Sequence, residues 1–316
     1  MKYLVLGSAG QVGAELCIYL KKQGHEVIEF DIVNEASQDL RIERVLDDII
    51  EDVDFVMFLA FDVGGSRYLA KYQHTFEFID NNTRLTLYTF ESLKRYNKPF
   101  IFASSQMANM SYSPYGVCKS LGEIYSSSLN GLVVKFWNVY GPEHDLEKSH
   151  VITDFILKAK KGKIEMLTDG QEVRQFLHAE DCSKALETLS LKYNDIDRNK
   201  NLHITNFEWN SIMEVAKIIQ ETIPCEIKAS TKIDIKYQTN EPALQTALLK
   251  QRQAFEWQKM QAEAKLRLDH DMIMAEINRN TAIEVETLKG NIGAATGATY
   301  GNPENAGAYT LDYVYT

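Results

Sequence analysis

The sequence is poor in proline and cysteine, with 6 prolines and 4 cysteines among 316 residues. The cysteines are widely spaced, which excludes a dense disulfide framework and the paired ligands of a structural zinc site. We therefore expect reduced thiols in a cytoplasmic protein with no metal site. Long apolar runs and a secretory signal are also missing, so we expect no membrane contact. The formal charge is −10, and without a basic excess we expect no nucleic-acid partner.

The composition that remains is ordinary for a globular protein, with 45% hydrophobic and 25% charged residues. Short apolar runs typical of buried parallel strands alternate with amphipathic segments through the first half of the chain. The strand-like runs are residues 3–6, 26–30, 54–60, 98–103 and 132–136, and the helix-like segments are residues 11–23, 42–50, 75–96 and 114–130. This alternation predicts an α/β fold with a doubly wound parallel sheet, the Rossmann arrangement.

A glycine-rich loop separates the first strand from the first helix. Gly7 allows a sharp turn out of the strand, Gly10 lets a phosphate approach the backbone, and Gly13 lets the helix pack close to the sheet. Gln11 and Val12 lie between these glycines, where the free N–H groups of a helix N-terminus favour negative charge. A loop of this kind, between a strand and a helix, predicts a dinucleotide site.

The cofactor is predicted from the ends of the next two strands. Asp31 follows the second strand, and a carboxylate there suits the ribose hydroxyls of NAD and repels the extra phosphate of NADP. Ala60 ends the third strand at the same edge of the sheet, where ligands of such folds bind, so we expect it to line the same site. The expected cofactor is NAD.

A tyrosine and a lysine form the candidate catalytic pair. Tyr115 and Lys119 are four residues apart in a predicted helix, so they share one helix face. An ammonium group near a phenol favours the phenolate, so we expect Lys119 to lower the pKa of Tyr115. Ser105 follows the preceding strand and could hold a substrate oxygen beside the phenol. The spacing of the pair alone is common in helices.

Taken together, these motifs resemble the extended short-chain dehydrogenase/reductase family, the NAD-dependent sugar-nucleotide epimerases and dehydratases. The resemblance covers about residues 1–240 and also involves Gly122, Glu123, Asn138, Gly141 and Pro142. It implies that Tyr115 is the general base, that Lys119 binds the nicotinamide ribose, and that Ser105 orients the sugar hydroxyl. The family's serine lies four residues before the position of Asn109, which favours Ser105 over Ser104.

The resemblance also implies substrate contacts and a small substrate-binding subdomain formed by residues 143–170 and 200–240, within a domain of residues 1–242. Asn138 resembles a sugar-nucleotide contact, and Arg174 resembles the arginine that grips the diphosphate. His150 matches a histidine of the GDP-fucose synthases that helps to protonate the sugar. Asn82 matches the asparagine that begins the family's fourth helix, and a simple helix cap explains it equally well.

Two departures from family patterns limit the reaction. Met107 occupies the position of a fucose-synthase cysteine, and a thioether cannot exchange a proton. Residues 105–107 also lack the acidic pair of the 4,6-dehydratases, without which water elimination loses its acid and base. The remaining chemistry is hydride transfer at one sugar carbon, by a 4-epimerase or a ketoreductase.

The C-terminal quarter does not match the family. Residues 243–289 contain no glycine and no proline, and they predict one long helix. Apolar residues recur at Leu244, Phe255, Leu266, Ile277 and Leu288, which favours a helical bundle through self-association or docking to another protein over a helix that lies on its own domain. Residues 290–316 are rich in glycine and alanine and predict a flexible tail.

This tail leaves a second function open. The enzyme hypothesis describes a homo-oligomeric protein that acts on a nucleotide sugar. The alternative is a structural or assembly component that carries an enzyme-derived NAD-binding domain, anchored through residues 243–316.

Overall fold

The computed structural model describes residues 1–143, 145–199 and 202–231. All of them belong to a unit that spans Met1–Gln238. The predicted long helix of residues 243–289, the tail of residues 290–316, and any association through them lie outside the described residues. Within the part that is described, no helix is long and apolar enough to span a membrane.

The strands alternate with helices along the chain. The strands are β1 (Lys2–Leu6), β2 (Glu26–Phe30), β3 (Phe55–Phe58), β4 (Phe100–Ser105), β5 (Leu132–Phe136), β6 (Asn138–Tyr140), β7 (Lys163–Glu165), β8 (Val173–Arg174), β9 (Phe176–His178), β10 (Leu202–Ile204), β11 (Asn210–Ser211) and β12 (Glu226–Lys228). The helices are α1 (Gln11–Lys22), α2 (Asp47–Ile50), α3 (Ser66–Tyr72), α4 (Phe76–Tyr96), α5 (Pro114–Ser128), α6 (Val151–Ala159), α7 (Ala179–Leu191) and α8 (Ile212–Thr222).

Six parallel strands form the central sheet in the order β10-β5-β4-β3-β1-β2. The chain proceeds from β1 to β2 on one side and then to β3 on the other side of β1, so the direction of winding reverses at β1. The six strands confirm the doubly wound fold that the sequence predicts. The shorter strands pair two by two, as β6 with β9, β7 with β12, and β8 with β11.

Both faces of the sheet are covered, because side chains alternate between the faces along each strand. In β1, Tyr3 and Val5 pack against α1 and α7 in one apolar cluster. Leu4 and Leu6 point the other way, into the cluster that contains side chains of α2, α4 and α5. Burial on both faces explains why the parallel strands appear in the sequence as continuous apolar runs.

One predicted helix is wrong, and one observed helix was not predicted. Residues 42–50 do not form one helix, because Arg44 has a φ of +64° and only Asp47–Ile50 is α-helical. The sequence analysis also missed α3, which lies in the segment between β3 and α4. The helix predicted for residues 75–96 is confirmed as α4, and the side chain of Thr75 caps it by accepting the N–H of Phe78 at 3.2 Å.

A third apolar cluster lies in the second half of the described chain. Phe155 of α6, Ile164 of β7, Phe176 of β9 and Val215 of α8 are buried together. A capping box fixes the start of α8, because the side chains of its N-cap serine and Glu214 each bind the other's backbone N–H. These elements therefore have a core that is separate from the two sheet faces.

Candidate functional site

A cleft of about 590 Å³ opens at the carboxyl ends of the strands, where the winding of the sheet reverses. Its lining includes the glycine loop after β1, the segments that follow β2 and β3, the end of β4, part of α5, and residues from the segment 143–150. The volume is in the range typical of cofactor and ligand sites. The fold therefore brings the predicted cofactor and catalytic residues to a single cleft.

The glycine loop has the close backbone contacts that a dinucleotide cradle requires. Gly7 has a φ of +86°, and a Cβ atom there would lie 2.6 Å from the backbone N of Ala60. A Cβ on Gly13 would lie 2.0 Å from the carbonyl oxygen of Gly7, so only glycine lets α1 pack this close. Gly10 is the N-cap of α1 and provides no side-chain cap, so the first N–H groups of the helix are left for a ligand. These features fit a bound pyrophosphate.

The predicted cofactor residues beyond the glycines also line the cleft, namely Gln11, Val12, Asp31 and Ala60. The carboxylate of Asp31 accepts the N–H groups of Ala9 at 3.0 Å and Val33 at 2.9 Å. With its amide oriented to satisfy both groups, Gln11 donates to the carbonyl of Val139 at 3.1 Å and accepts from Gly141 at 3.3 Å. Asp31 is therefore fixed beside the glycine loop, as its predicted role requires.

Tyr115 and Ser105 lie together at this cleft. Tyr115 is on α5, which begins after its N-cap Ser113 with Pro114 in the first turn, and its side chain is 8% exposed. Ser105 ends β4, where its hydroxyl accepts the N–H of Met107 at 3.1 Å and lies close enough to the phenol of Tyr115 to favour the phenolate. Ser104 instead donates its hydroxyl to Glu123. The structure therefore pairs the predicted serine, and not its neighbour, with the tyrosine.

Lys119 lies one turn after Tyr115 and is 4% exposed. Its ammonium group donates to the carbonyl of Ala103 at 2.6 Å and lies 3.7 Å from the centre of the Phe61 ring. Burial lowers the pKa of Lys119 to about 7, because the low-dielectric surroundings disfavour its charge. Lys119 is therefore near its titration midpoint at neutral pH.

The expected effect of Lys119 on the phenol is wrong in this structure. Burial raises the pKa of Tyr115 to about 12, and the nearby hydroxyl of Ser105 offsets only part of that rise. The ammonium group of Lys119 is 6.0 Å from the centre of the Tyr115 ring and is itself only partly charged. Tyr115 is therefore protonated at neutral pH in the protein itself.

Another part of the cleft lining is held together by contacts that we call the clasp, between residues 62–72 and residues 145–154. Asp62 accepts hydrogen bonds from Tyr68 at 2.6 Å and Lys148 at 3.1 Å, and all three line the cleft. The N–H of Gly65 donates to the carbonyl of Lys148 at 2.8 Å. A Cβ on Gly65 would lie 2.3 Å from the carbonyl oxygen of Ser149, so this approach also needs glycine.

Two further contacts of the clasp lie on α3. Arg67 forms a 2.8 Å ion pair with Asp154 of α6, and the hydroxyl of Tyr72 donates to Glu147 at 2.8 Å. Tyr68 also packs in the same apolar cluster as Tyr115, so the clasp adjoins the predicted catalytic residue.

The predicted substrate residues do not all reach this cleft. His150 lines it, whereas Asn138 and Arg174 are not part of its lining. Asn138 donates to the carbonyl of Gln175 at 3.1 Å, and Arg174 donates to the carbonyl of Val173 at 2.7 Å. Asn82 neither begins nor caps a helix, because it is buried within α4, where it binds both the N–H and the carbonyl of Asp62.

Sequence reasoning missed several lining residues. Asp39, Leu40 and Arg41 line the cleft after β2, and Arg41 forks onto Asp39 and donates to Asn81 at 2.7 Å. Glu143 was also missed. The sequence did carry a signal for this part of the cleft lining. Asp39 and Arg41 form an oppositely charged pair shortly after the predicted ribose-binding Asp31.

A doubly wound parallel sheet whose glycine loop and buried tyrosine–lysine pair share one cleft defines a dinucleotide-dependent class of proteins. The chain belongs to the NAD dependent epimerase/dehydratase family, whose model matches residues 3–205. Its cofactor is accordingly NAD, and the family acts on sugar nucleotides as epimerases and reductases.

Several known proteins are similar to this chain. A Bacillus subtilis (strain 168) protein described as an uncharacterized UDP-glucose epimerase is 25% identical over 270 residues, which are 70% of this chain and 82% of that protein. The Thermotoga maritima UDP-glucose 4-epimerase, solved with UDP-glucose, is 20% identical with a TM-score of 0.62, covering 74% of this chain and 88% of its own. A GDP-6-OMe-4-keto-L-xylo-heptose reductase from C. jejuni is 16% identical with a TM-score of 0.65. The match covers 74% of this chain and 87% of the reductase chain. The two solved structures show the fold.

Proposed function

We propose that this chain is an NAD-dependent enzyme that transfers a hydride at one carbon of a nucleotide-linked sugar, with Tyr115 as its acid–base group. The observation that carries the proposal is the contact between Tyr115 and Ser105 in the same cleft as the glycine loop. Membership of the family and the similarity to a described UDP-glucose epimerase support the substrate class.

The geometry of the site supports a separate role for each residue. When bound, NAD supplies the acceptance and return of a hydride. Tyr115 holds a proton at neutral pH, which suits donation to a sugar keto oxygen. The phenolate that such a donation leaves would be the base that removes a hydroxyl proton in the reverse direction. Ser105 lies beside the phenol, and its proposed role is to orient the same sugar oxygen. Lys119 is the proposed contact to the nicotinamide ribose.

An epimerase and a ketoreductase differ in whether the hydride returns to the same sugar. Both are compatible with Tyr115 as the acid–base group, and Met107 offers no second proton at the position of the fucose-synthase cysteine. Asn138 and Arg174 remain proposed contacts to the nucleotide part of the substrate.

The test incubates the purified protein with UDP-, GDP- and dTDP-sugars and either NAD or NADH. Turnover with no net change in NADH absorbance identifies an epimerase, and stoichiometric loss of NADH identifies a reductase. Tyr115→Phe should lower kcat by at least about 100-fold, since it removes the acid–base group, while its Kd for NAD stays close to that of the wild type. Tyr112→Phe, at an exposed tyrosine just before α5, is the matched control. Turnover by Tyr115→Phe at the wild-type rate would contradict the proposal.

A further inference from the structure

An arginine in the cofactor part of the cleft is held by an aspartate. Arg41 and Asp39 both line the cleft in the segment that follows β2. One carboxylate oxygen of Asp39 accepts the backbone N–H and the Nε group of Arg41, each at 2.9 Å. The other oxygen accepts Nη2 at 2.8 Å and Nε at 3.2 Å. One carboxylate therefore occupies a whole edge of the guanidinium group.

A second contact holds the remaining nitrogen of this guanidinium group. Nη1 of Arg41 donates to the side-chain oxygen of Asn81 on α4 at 2.7 Å. The hydrogen bonds from Arg41 also hold the pKa of Asp39 below its usual range, so this carboxylate is charged at neutral pH. Arg41 is thus bound at all three nitrogens, although 38% of its side chain is accessible.

This ion pair lies close to the residue that is proposed to contact the ribose. The backbone N–H of Asp31 donates to the side chain of Gln38 at 2.8 Å, which joins the end of β2 to the segment of Asp39 and Arg41. Lining residues 30–41 carry two negative charges and one positive charge, so this part of the cleft is negative overall. NADP differs from NAD by a 2′-phosphate, and an arginine near the end of β2 can accommodate that phosphate in folds of this type. Arg41 is an arginine at such a place, but its donors are already used.

We propose that Asp39 is a positioning residue for Arg41, and that by holding the guanidinium group it denies NADP a phosphate-binding arginine and keeps the site selective for NAD. Asp31 and Asp39 then act in different ways. Asp31 repels the 2′-phosphate directly, whereas Asp39 acts through Arg41. The inference goes beyond the proposed function, because it concerns which dinucleotide binds and not what happens to the sugar.

The test measures the Kd values of NAD and NADP by calorimetry for the wild type and for Asp39→Asn. The amide keeps an oxygen for the backbone N–H and Nε of Arg41, but its NH2 group faces Nη2, so that end of the guanidinium group is released. We expect NADP to bind about 10-fold more tightly, because a charge-assisted bond to its phosphate becomes possible, and NAD affinity to change by less than about 3-fold. An NADP affinity no higher than that of the wild type would overturn the inference.

Arg41→Met shows whether the gain depends on the arginine. In the Asp39→Asn background it should return the NADP affinity to within about 3-fold of the wild type, because no guanidinium group remains to bind the phosphate. In the wild-type background it should change the NADP affinity little, since Arg41 is already held. A gain that persists without Arg41 would mean that Asp39 acts only by its charge. A large loss from Arg41→Met alone would mean that Arg41 already binds the phosphate, and either result would overturn the inference.

Asp47→Asn is the matched control. Asp47 forms a 2.7 Å ion pair with Arg95, the two side chains are 22% and 35% accessible, and neither residue lines the cleft. Both Kd values should stay within about 2-fold of the wild type, because salt screens an exposed charge outside the site. An equal gain for NADP in this variant would reduce the effect to overall charge and overturn the inference. Since only dinucleotide binding is measured, a protein that turns over no sugar nucleotide would contradict the proposed function and leave this result readable.

Discussion

The glycine-loop end of the cleft and the clasp end are built in different ways. At the glycine-loop end, Gly7, Gly13 and Asp31 lie within one strand–helix–strand unit, and backbone approach sets their geometry. At the clasp end, side chains from residues 62–72 meet side chains from residues 145–154, which are distant in the chain. Contacts of the first kind tolerate no added atoms. The side-chain contacts of the clasp depend on charge and hydrogen bonding, and its one backbone approach that requires glycine is at Gly65.

This difference separates the two halves of the proposed reaction. Changes at the glycine-loop end should act on NAD and on folding together, because the backbone there carries both. Changes at the clasp end should act on the sugar nucleotide and leave NAD binding unchanged. The predictions below test this division, from the largest expected effect to the smallest.

Gly13→Val gives the largest expected effect. The new side chain must displace the carbonyl of Gly7, which would lie 2.0 Å from the Cβ atom. We expect NAD affinity to fall at least about 100-fold, since overpacking shifts backbone that forms the site; calorimetric titration with NAD measures it. Gly24→Ala is the control, because Gly24 has a φ of +82° but no atom within 4 Å of an added Cβ. If Gly13→Val bound NAD as tightly as the wild type, close backbone approach would not set the NAD site at the glycine-loop end.

Lys119→Met should change how stability depends on pH. The pKa of Lys119 is lowered from 10.5 to about 7 by burial, so between these values the unfolded chain binds a proton that the folded protein lacks. Stability from this site is therefore present above pH 10.5 and is lost as pH falls toward 7, by about 1.4 kcal/mol per pH unit.

Urea unfolding at two pH values within this window measures that slope. The methionine variant cannot titrate at this position, so its free energy of unfolding should rise less with pH than that of the wild type. Lys94→Met, at an exposed lysine of α4, should keep the wild-type slope. Parallel curves for wild type and Lys119→Met would contradict the buried, partly neutral lysine.

Asp31→Asn sharpens the comparison at the glycine-loop end. The N–H groups of Ala9 and Val33 bind different oxygens of Asp31, so the substitution keeps an acceptor for only one of them and removes the charge. We expect NAD to bind about 10-fold more weakly, because a charge-assisted hydrogen bond to the ribose is lost, and NADP to bind relatively better. Kd values for both dinucleotides check this, and an unchanged NAD to NADP ratio would show that Asp31 does not select the cofactor.

Lys148→Met gives the smallest expected effect. Its ion pair with Asp62 is partly exposed, with 38% and 20% of the two side chains accessible. We expect the KM for the sugar nucleotide to rise about 3-fold, because a partly exposed ion pair contributes less than about 1 kcal/mol. The Kd for NAD should stay constant. Lys184→Met, at an exposed ion-paired lysine on α7, is the control. A weaker NAD complex in Lys148→Met would show that the two ends are not independent.

Much of the fold was predictable because it depends on local patterns. The run 26–30 and the run 132–136 match β2 and β5, and the predicted glycine loop, Asp31, Ser105, Tyr115 and Lys119 all reach one cleft. The helix predicted for residues 42–50 failed because periodicity does not reveal the left-handed backbone at Arg44. The helix α3 was missed because its 7 residues are too few for a periodic pattern to show, and its ion pair with Asp154 is visible only in the fold.

The amino-acid sequence by itself determined the parallel sheet, the glycine loop and the family, because strand runs and glycine spacing are dictated by backbone sterics within short stretches of chain. Only the tertiary structure decided the protonation of Tyr115 and Lys119, since burial sets those pKa values and depends on everything packed around α5. It likewise decided the pairing of Arg67 with Asp154, because the two residues are distant in the chain and only the fold brings α3 to α6.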